Sequence, residues 1–201
     1  ISMDKQKFTN ELKQVFDYIH NSLLKEYDTD KISTEYFIVS VLENDSTVAN
    51  RILSKVTLHD NMENAKSHFY QWLSQNARSF GSAKEYDELF ELTIKDARSL
   101  ANRQKSKNIN SGHVLASIFK DNAEVGNYFK TLSVTLGQVM TQVEQESQET
   151  AEKVEGTDES KPFKHVRKKQ KKAKQAEDVR VERIVYDIPS SHGTKQTERR
   201  S

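Results

Sequence analysis

Ile32-Ser33-Thr34-Glu35-Tyr36-Phe37-Ile38-Val39-Ser40-Val41-Leu42 and Ile109-Asn110-Ser111-Gly112-His113-Val114-Leu115-Ala116-Ser117-Ile118-Phe119 stand 77 residues apart and share one plan. Each opens with an isoleucine, turns through small polar residues that favour a helix N-cap, and continues as a mostly apolar run. The register holds without a gap from Ile32, aligned with Ile109, to Ile52, aligned with Phe129, and it slips by one in the helix that precedes each segment. A register kept over so many positions marks an internal repeat, and so a fold assembled from two copies of one unit.

Working outward, Phe8, Leu12, Val15, Phe16, Ile19, Leu23 and Leu24 recur at the spacing of one helix face. Ser33 or Thr34 caps a second helix with Tyr36, Phe37, Ile38, Val41 and Leu42 inside. Asn44-Asp45-Ser46 ends it, Val48, Ile52 and Leu53 continue in a third, and Asp60 to Ser79 reads as a fourth that stops before Gly81. Tyr86, Leu89, Phe90, Ile94, Ala97 and Leu100 then repeat the first helix, and Leu132, Leu136, Val139, Met140 and Val143 form the closing one. No stretch of this helical region alternates with period two, so no sheet is expected there and the fold class is all-α. The expected organisation is a helical domain over 5–147, with repeat one at 8–80 and repeat two at 85–147, followed by a flexible linker and basic tail over 148–201.

Composition agrees with that division. Large apolar residues thin out after Val143, and residues 161–201 carry 13 lysines and arginines against 5 acids, leaving the remainder with 18 against 25. An acidic globule with a basic tail calls for an anionic partner of the tail or a contact between tail and globule. The chain has no cysteine, which removes disulfides, thiolate chemistry and cysteine-based zinc sites together. The charged start Met3-Asp4-Lys5-Gln6-Lys7 lacks the apolar core of a signal peptide and no apolar run is long enough for a membrane span, so the expected location is cytoplasmic.

The doubled unit resembles the N-terminal repeat domain of Clp-type unfoldase ATPases over about residues 5 to 145. In that family the second helix opens with a Gly-Thr-Glu-His-Ile-Leu-Leu-Gly-Leu type segment, which Ser33-Thr34-Glu35-Tyr36-Phe37-Ile38-Val39-Ser40-Val41 tracks position by position and Asn110 to Phe119 follows more loosely. The resemblance implies a pseudo-two-fold bundle of about eight helices that receives substrates or adaptor proteins for an ATP-driven unfoldase. It also implies, by analogy with the family branch whose repeats bind phosphorylated arginine, a ligand site at Thr9 and Glu35, the carboxylate matching the guanidinium and the hydroxyl helping to hold the phosphate. The equivalent positions of repeat two are Asp87 and Gly112, and a site in that form is expected to be dead.

No catalytic chemistry accompanies this pattern. The sequence contains no G-x-x-x-x-G-K-[ST] phosphate loop, and His20, His59, His68, His113, His165 and His192 have no metal-ligand spacing. A non-enzymatic protein-interaction module is therefore expected, with no cofactor and no metal; its partners are protein substrates, adaptors or Clp machinery components. The basic run Lys164, Arg167, Lys168, Lys169, Lys171, Lys172 and Lys174 supports an alternative, a nucleic-acid-associated protein that binds phosphates through the tail. Val179 to Ile188 reads as a short strand in need of a partner edge. Trp72 is at core spacing.

Overall fold

The computed structural model describes residues 7–78 and 84–153, the side chains of 148–153 excepted. The helix end near Gly81, the basic run and the strand expected at 179–188 lie outside the described residues. Within them the chain is an all-α bundle of eight helices, counting 10–26 as one continuous run. That run comprises α1 (Asn10–Tyr18), a π-helical segment (Ile19–Leu23) and α2 (Leu24–Glu26); α3 (Thr34–Glu43), α4 (Val48–Val56) and α5 (His59–Asn76) complete repeat one. Repeat two supplies α6 (Glu88–Arg103), α7 (Ser111–Asp121), α8 (Ala123–Lys130) and α9 (Leu136–Lys153). Among the described residues no helix is long and apolar enough to cross a membrane.

The one-residue slip in the repeat has a physical counterpart in the π-helical segment. Phe8 to Ile32 is one residue longer than Tyr86 to Ile109, and an i→i+5 turn takes up more residues than an α-turn for the same advance. The extra residue is accommodated inside the helix, so the second helices of both repeats enter the core in equivalent positions.

Contrary to the all-helical expectation in detail, four two-residue strands form where each repeat turns into a helix: β1 (Lys7–Phe8), β2 (Lys31–Ile32), β3 (Glu85–Tyr86) and β4 (Asn108–Ile109). Segments this short leave no alternation to read in a sequence. They pair in parallel across the repeats, β1 with β4 and β2 with β3, so the first strand of each repeat is bonded to the second strand of the other. The two copies are thus interlocked and neither has a complete surface of its own.

Side chains follow the same exchange. Phe8 stacks on Phe16 at 5.7 Å, and Phe16 packs against Tyr86 at 6.0 Å and Phe90 at 6.2 Å, while Phe37 meets Phe90 at 6.1 Å. Aromatic pairs at such spacings add about 0.5–1.5 kcal/mol each beyond burial, and three of these four, those with Tyr86 or Phe90, join one repeat to the other. Most residues assigned to the core by spacing are buried, and Trp72, partly exposed, packs against it. Leu89, expected inside, is 36% exposed. The fourth helix begins at His59 and ends at Asn76 rather than spanning 60–79, and the closing helix starts at Leu136, with Leu132 in the turn before it.

Candidate functional site

The cross-pairing of strands brings the start of α1 beside the start of α7, and the start of α6 beside the start of α3. In the first corner Thr9 is the N-cap of α1. Its Oγ1 accepts from the Leu12 N–H at 3.3 Å and donates to Glu11 Oε2 at 3.1 Å, and its own N–H is bonded to the Ile109 carbonyl at 3.0 Å. Glu11 fills the space between helices. Its carboxylate accepts the Ser111 N–H at 2.7 Å, the Ser111 hydroxyl at 2.7 Å and the Val48 N–H at 3.0 Å. Val48 and Ser111 are the first residues of α4 and α7, whose opening amides have no partner within their helices, so one carboxylate neutralises two helix N-termini. Ser111 Oγ in turn accepts the Ala49 N–H at 2.8 Å.

The rest of this corner is packed shut. A Cβ placed on Gly112 would lie 2.9 Å from Ile52 Cδ1, 3.0 Å from Asn110 Oδ1 and 3.1 Å from Val48 Cγ1. A longer side chain there would have to push aside the Ile52 and Val48 side chains of α4 and the Asn110 cap. His113 closes the cap: Asn110 Oδ1 accepts the Gly112 and His113 amides at 2.7 and 3.1 Å, and His113 Nδ1 accepts the Asn110 N–H at 3.0 Å, a reciprocal capping box. Burial holds the imidazole pKa down at about 4, so it stays neutral and keeps the lone pair that the cap needs.

The opposite corner is built from the same positions with different residues. Tyr36 stands where repeat two has His113, and its hydroxyl donates to the Tyr27 carbonyl at 2.7 Å, away from the cap. Ser33 makes no side-chain cap to α3. Glu35, 4% exposed, sits in the first turn of α3 and forms no ion pair among the described residues. Burial raises its carboxyl above the usual carboxylate range; the neighbouring Asp87 and Glu124 add to the rise, while the Ser33 hydroxyl and its own amide oppose it. Asp87 caps α6 by accepting the Phe90 N–H at 2.8 Å and is itself raised, mainly by burial. The N–H of Asp87 bonds to the Ile32 carbonyl at 2.9 Å, which fixes it beside α3. Leu89 and Leu92, 36% and 47% exposed, follow Asp87 by two and five residues on α6.

The sequence-derived pair is therefore divided. Thr9 belongs to the corner with Ser111 and Gly112, and Glu35 to the corner with Asp87. A single ligand clamped between Thr9 and Glu35 does not match this arrangement, because the parallel strands join each repeat's first turn to the other repeat's second helix. One corner keeps the hydroxyl and lacks the carboxylate position; the other keeps the carboxylate and replaces the hydroxyl with a second acid. Glu11 and Leu92 were not singled out by sequence and Leu89 was assigned to the core, since a carboxylate two residues past an N-cap and a leucine on an amphipathic helix are both ordinary.

Glu35 carries a measurable cost. Its folded pKa is raised, so the native state holds a proton more tightly than the unfolded chain, and its unfavourable contribution appears as pH rises above the ordinary value of 4.5. Glu35→Gln is expected to raise the midpoint of urea unfolding at neutral pH, with the gain fading as pH falls below that value. A variant less stable than wild type at pH 7 would contradict this account.

No curated protein sequence matches the chain. Among solved structures, one from work titled as preliminary structural investigations of a malarial protein secretion system superposes with a TM-score of 0.61 at 18% identity, covering 72% of this chain and 97% of that one. The N-terminal domain of the ClpV1 ATPase from the Sci1 T6SS of E. coli EAEC gives a TM-score of 0.52 at 19% identity, covering 69% and 83%. These likenesses establish the fold. The family model of the Clp repeat (R) N-terminal domain matches residues 85–188, more than half of the sequence; the chain belongs to the Clp repeat N-terminal domain family.

Proposed function

We propose that this chain is a non-catalytic interaction module that receives protein substrates or adaptors of a Clp-type machine, and that it does so through the corner formed by α3 and α6. The carrying observation is the asymmetry of the two corners. One is filled by Glu11, Val48 and Ile52, while the other holds a buried carboxylate, Glu35, with no ion-pair partner among the described residues, against Asp87 at the start of the helix that carries two exposed leucines. Apolar side chains ringed by polar groups are the usual anchor of a protein contact. The two solved structures described above come, by their titles, from work on a malarial protein secretion system and from a ClpV1 ATPase, which agrees with a receiving role.

The test is direct binding of the full chain to a Clp-type ATPase, a protease adaptor and a permanently unfolded model protein. At least one is expected to bind, with affinity about tenfold weaker in Leu89→Asp/Leu92→Asp, the loss typical of two contact side chains at an interface. Failure of all three to bind, or equal binding by the double variant, would overturn the reading.

A narrower expectation concerns phosphorylated arginine. Asp87 stands beside Glu35 where the other repeat has the hydroxyl of Thr9, and two carboxylates repel a phosphoryl group. Calorimetry is expected to give no binding of phosphoarginine to the wild-type chain and measurable binding to Asp87→Thr, abolished again by adding Glu35→Ala. Tight binding to wild type would refute it.

A further inference from the structure

The first two turns of α6 have a surface that the bundle does not use. Leu89 and Leu92 are exposed, and Glu85, Glu88 and Glu91 lie around them, with Asp87 and Glu35 at one end. Glu91 is raised above its ordinary range, first by burial and then by Glu85 and Glu88, with Lys31 and Lys95 opposing. Lys31 reaches Glu85 at 2.8 Å. The face thus keeps a surplus of negative charge around an apolar strip, and its complement is a basic segment.

The same chain contains one. Lys164 to Lys174 holds seven lysines and arginines, no acid, and the apolar Val166 and Ala173. Reach is sufficient. Ser147 Oγ donates to Gln104 Oε1 at 2.9 Å, which places α9 beside the C-cap of α6. The 16 residues of α6 put its first turn about 24 Å from there. From Ser147 to the end of α9 at Lys153 adds at most about 9 Å, for a span of at most about 33 Å, and the step of 11 residues from Lys153 to Lys164 extends to about 36 Å. A tether of this length holds the segment at an effective concentration of order millimolar, so weak attraction is enough for occupancy.

We propose that residues 164–174 dock in cis on the acidic, leucine-bearing face of α6. This goes beyond the receiving role proposed above and is read on the chain alone, so either idea can fail without the other.

The sequence has no cysteine, so Gln170→Cys gives the full chain a single thiol for a nitroxide label. Paramagnetic broadening is expected at amides 85–95, independent of protein concentration. It should fall about tenfold in Glu88→Lys/Glu91→Lys, which turns attractions into repulsions. It should also collapse at 0.5 M salt, where the screening length is about 4 Å. Glu88 is exposed and Glu91 partly buried, and an unchanged circular dichroism spectrum checks that the variant folds. Broadening spread evenly over the domain, centred on another face, or unchanged by the charge reversals overturns the proposal. Broadening that grows with protein concentration also overturns it, since the occupant is then a second copy.

Discussion

Lys84→Met is expected to be the most destabilising single substitution outside the apolar core, costing about 3–5 kcal/mol, the penalty for removing one member of a buried ion pair. Lys84 is 2% exposed and its ammonium pairs with Asp28, itself 3% exposed. The pair closes the junction at which β2 meets β3, flanked by the Arg78 N–H bonded to the Asp28 carbonyl at 2.7 Å and the Glu85 N–H bonded to the Asp30 carbonyl at 2.9 Å. Loss of the ammonium leaves the Asp28 carboxylate in an interior that solvates charge poorly. The double variant Asp28→Asn/Lys84→Met is expected to recover a large part of the loss, because the charge that needed the partner is gone. Urea unfolding of the four proteins in a double-mutant cycle measures it. A cost for Lys84→Met below about 0.5 kcal/mol, the scatter of ordinary surface substitutions, would sink the account.

Glu11→Ala is expected to cost about 3 kcal/mol, because hydrogen bonds to a charged acceptor contribute about 1.5–3 kcal/mol each and several are lost together while neighbouring water takes up part of the deficit. The donors left behind are the Val48 and Ser111 amides and the Ser111 and Thr9 hydroxyls. The effect should have an address: hydrogen exchange is expected to accelerate first at the opening turns of α4 and α7, which the carboxylate ties together. Glu11→Gln should fall between, since an amide has one acceptor oxygen and turns its NH2 toward an N–H donor. Uniform acceleration over the bundle, with no excess at Val48 and Ser111, would mean that Glu11 is not the tie between these helices.

Both predictions rest on polar side chains that bind one repeat to the other, and neither was visible in the sequence. The repeat itself was, because the constant offset of 77 is carried by apolar residues and caps whose spacing is local. Leu12, Val15 and Phe16, or Phe90, Ile94 and Ala97, reveal a helix and its inner face without reference to anything distant. Even the one-residue slip was legible, though not its resolution as the π-helical segment at Ile19–Leu23. Leu89 marks the limit: helix spacing gives a face, but whether the end of that face is covered depends on what packs there.

The candidate site was half legible. Thr9 and Glu35 were found as residue types at helix starts, and both are there, Thr9 capping α1 and Glu35 opening α3. Strand pairing sets them in different corners, Thr9 beside the start of α7 and Glu35 beside the start of α6, whereas sequence order implies that a repeat completes its own surface. The sequence by itself determined the doubled helical unit, the family to which it points, and the chemical inequality of Thr9 with Asp87 and of Glu35 with Gly112. Only the tertiary structure decided that β1 pairs with β4 and β2 with β3, and so which of those residues meet. Parallel pairing of two-residue strands is selected by how the two helical units bury their aromatic faces against each other, a long-range balance that no local spacing records.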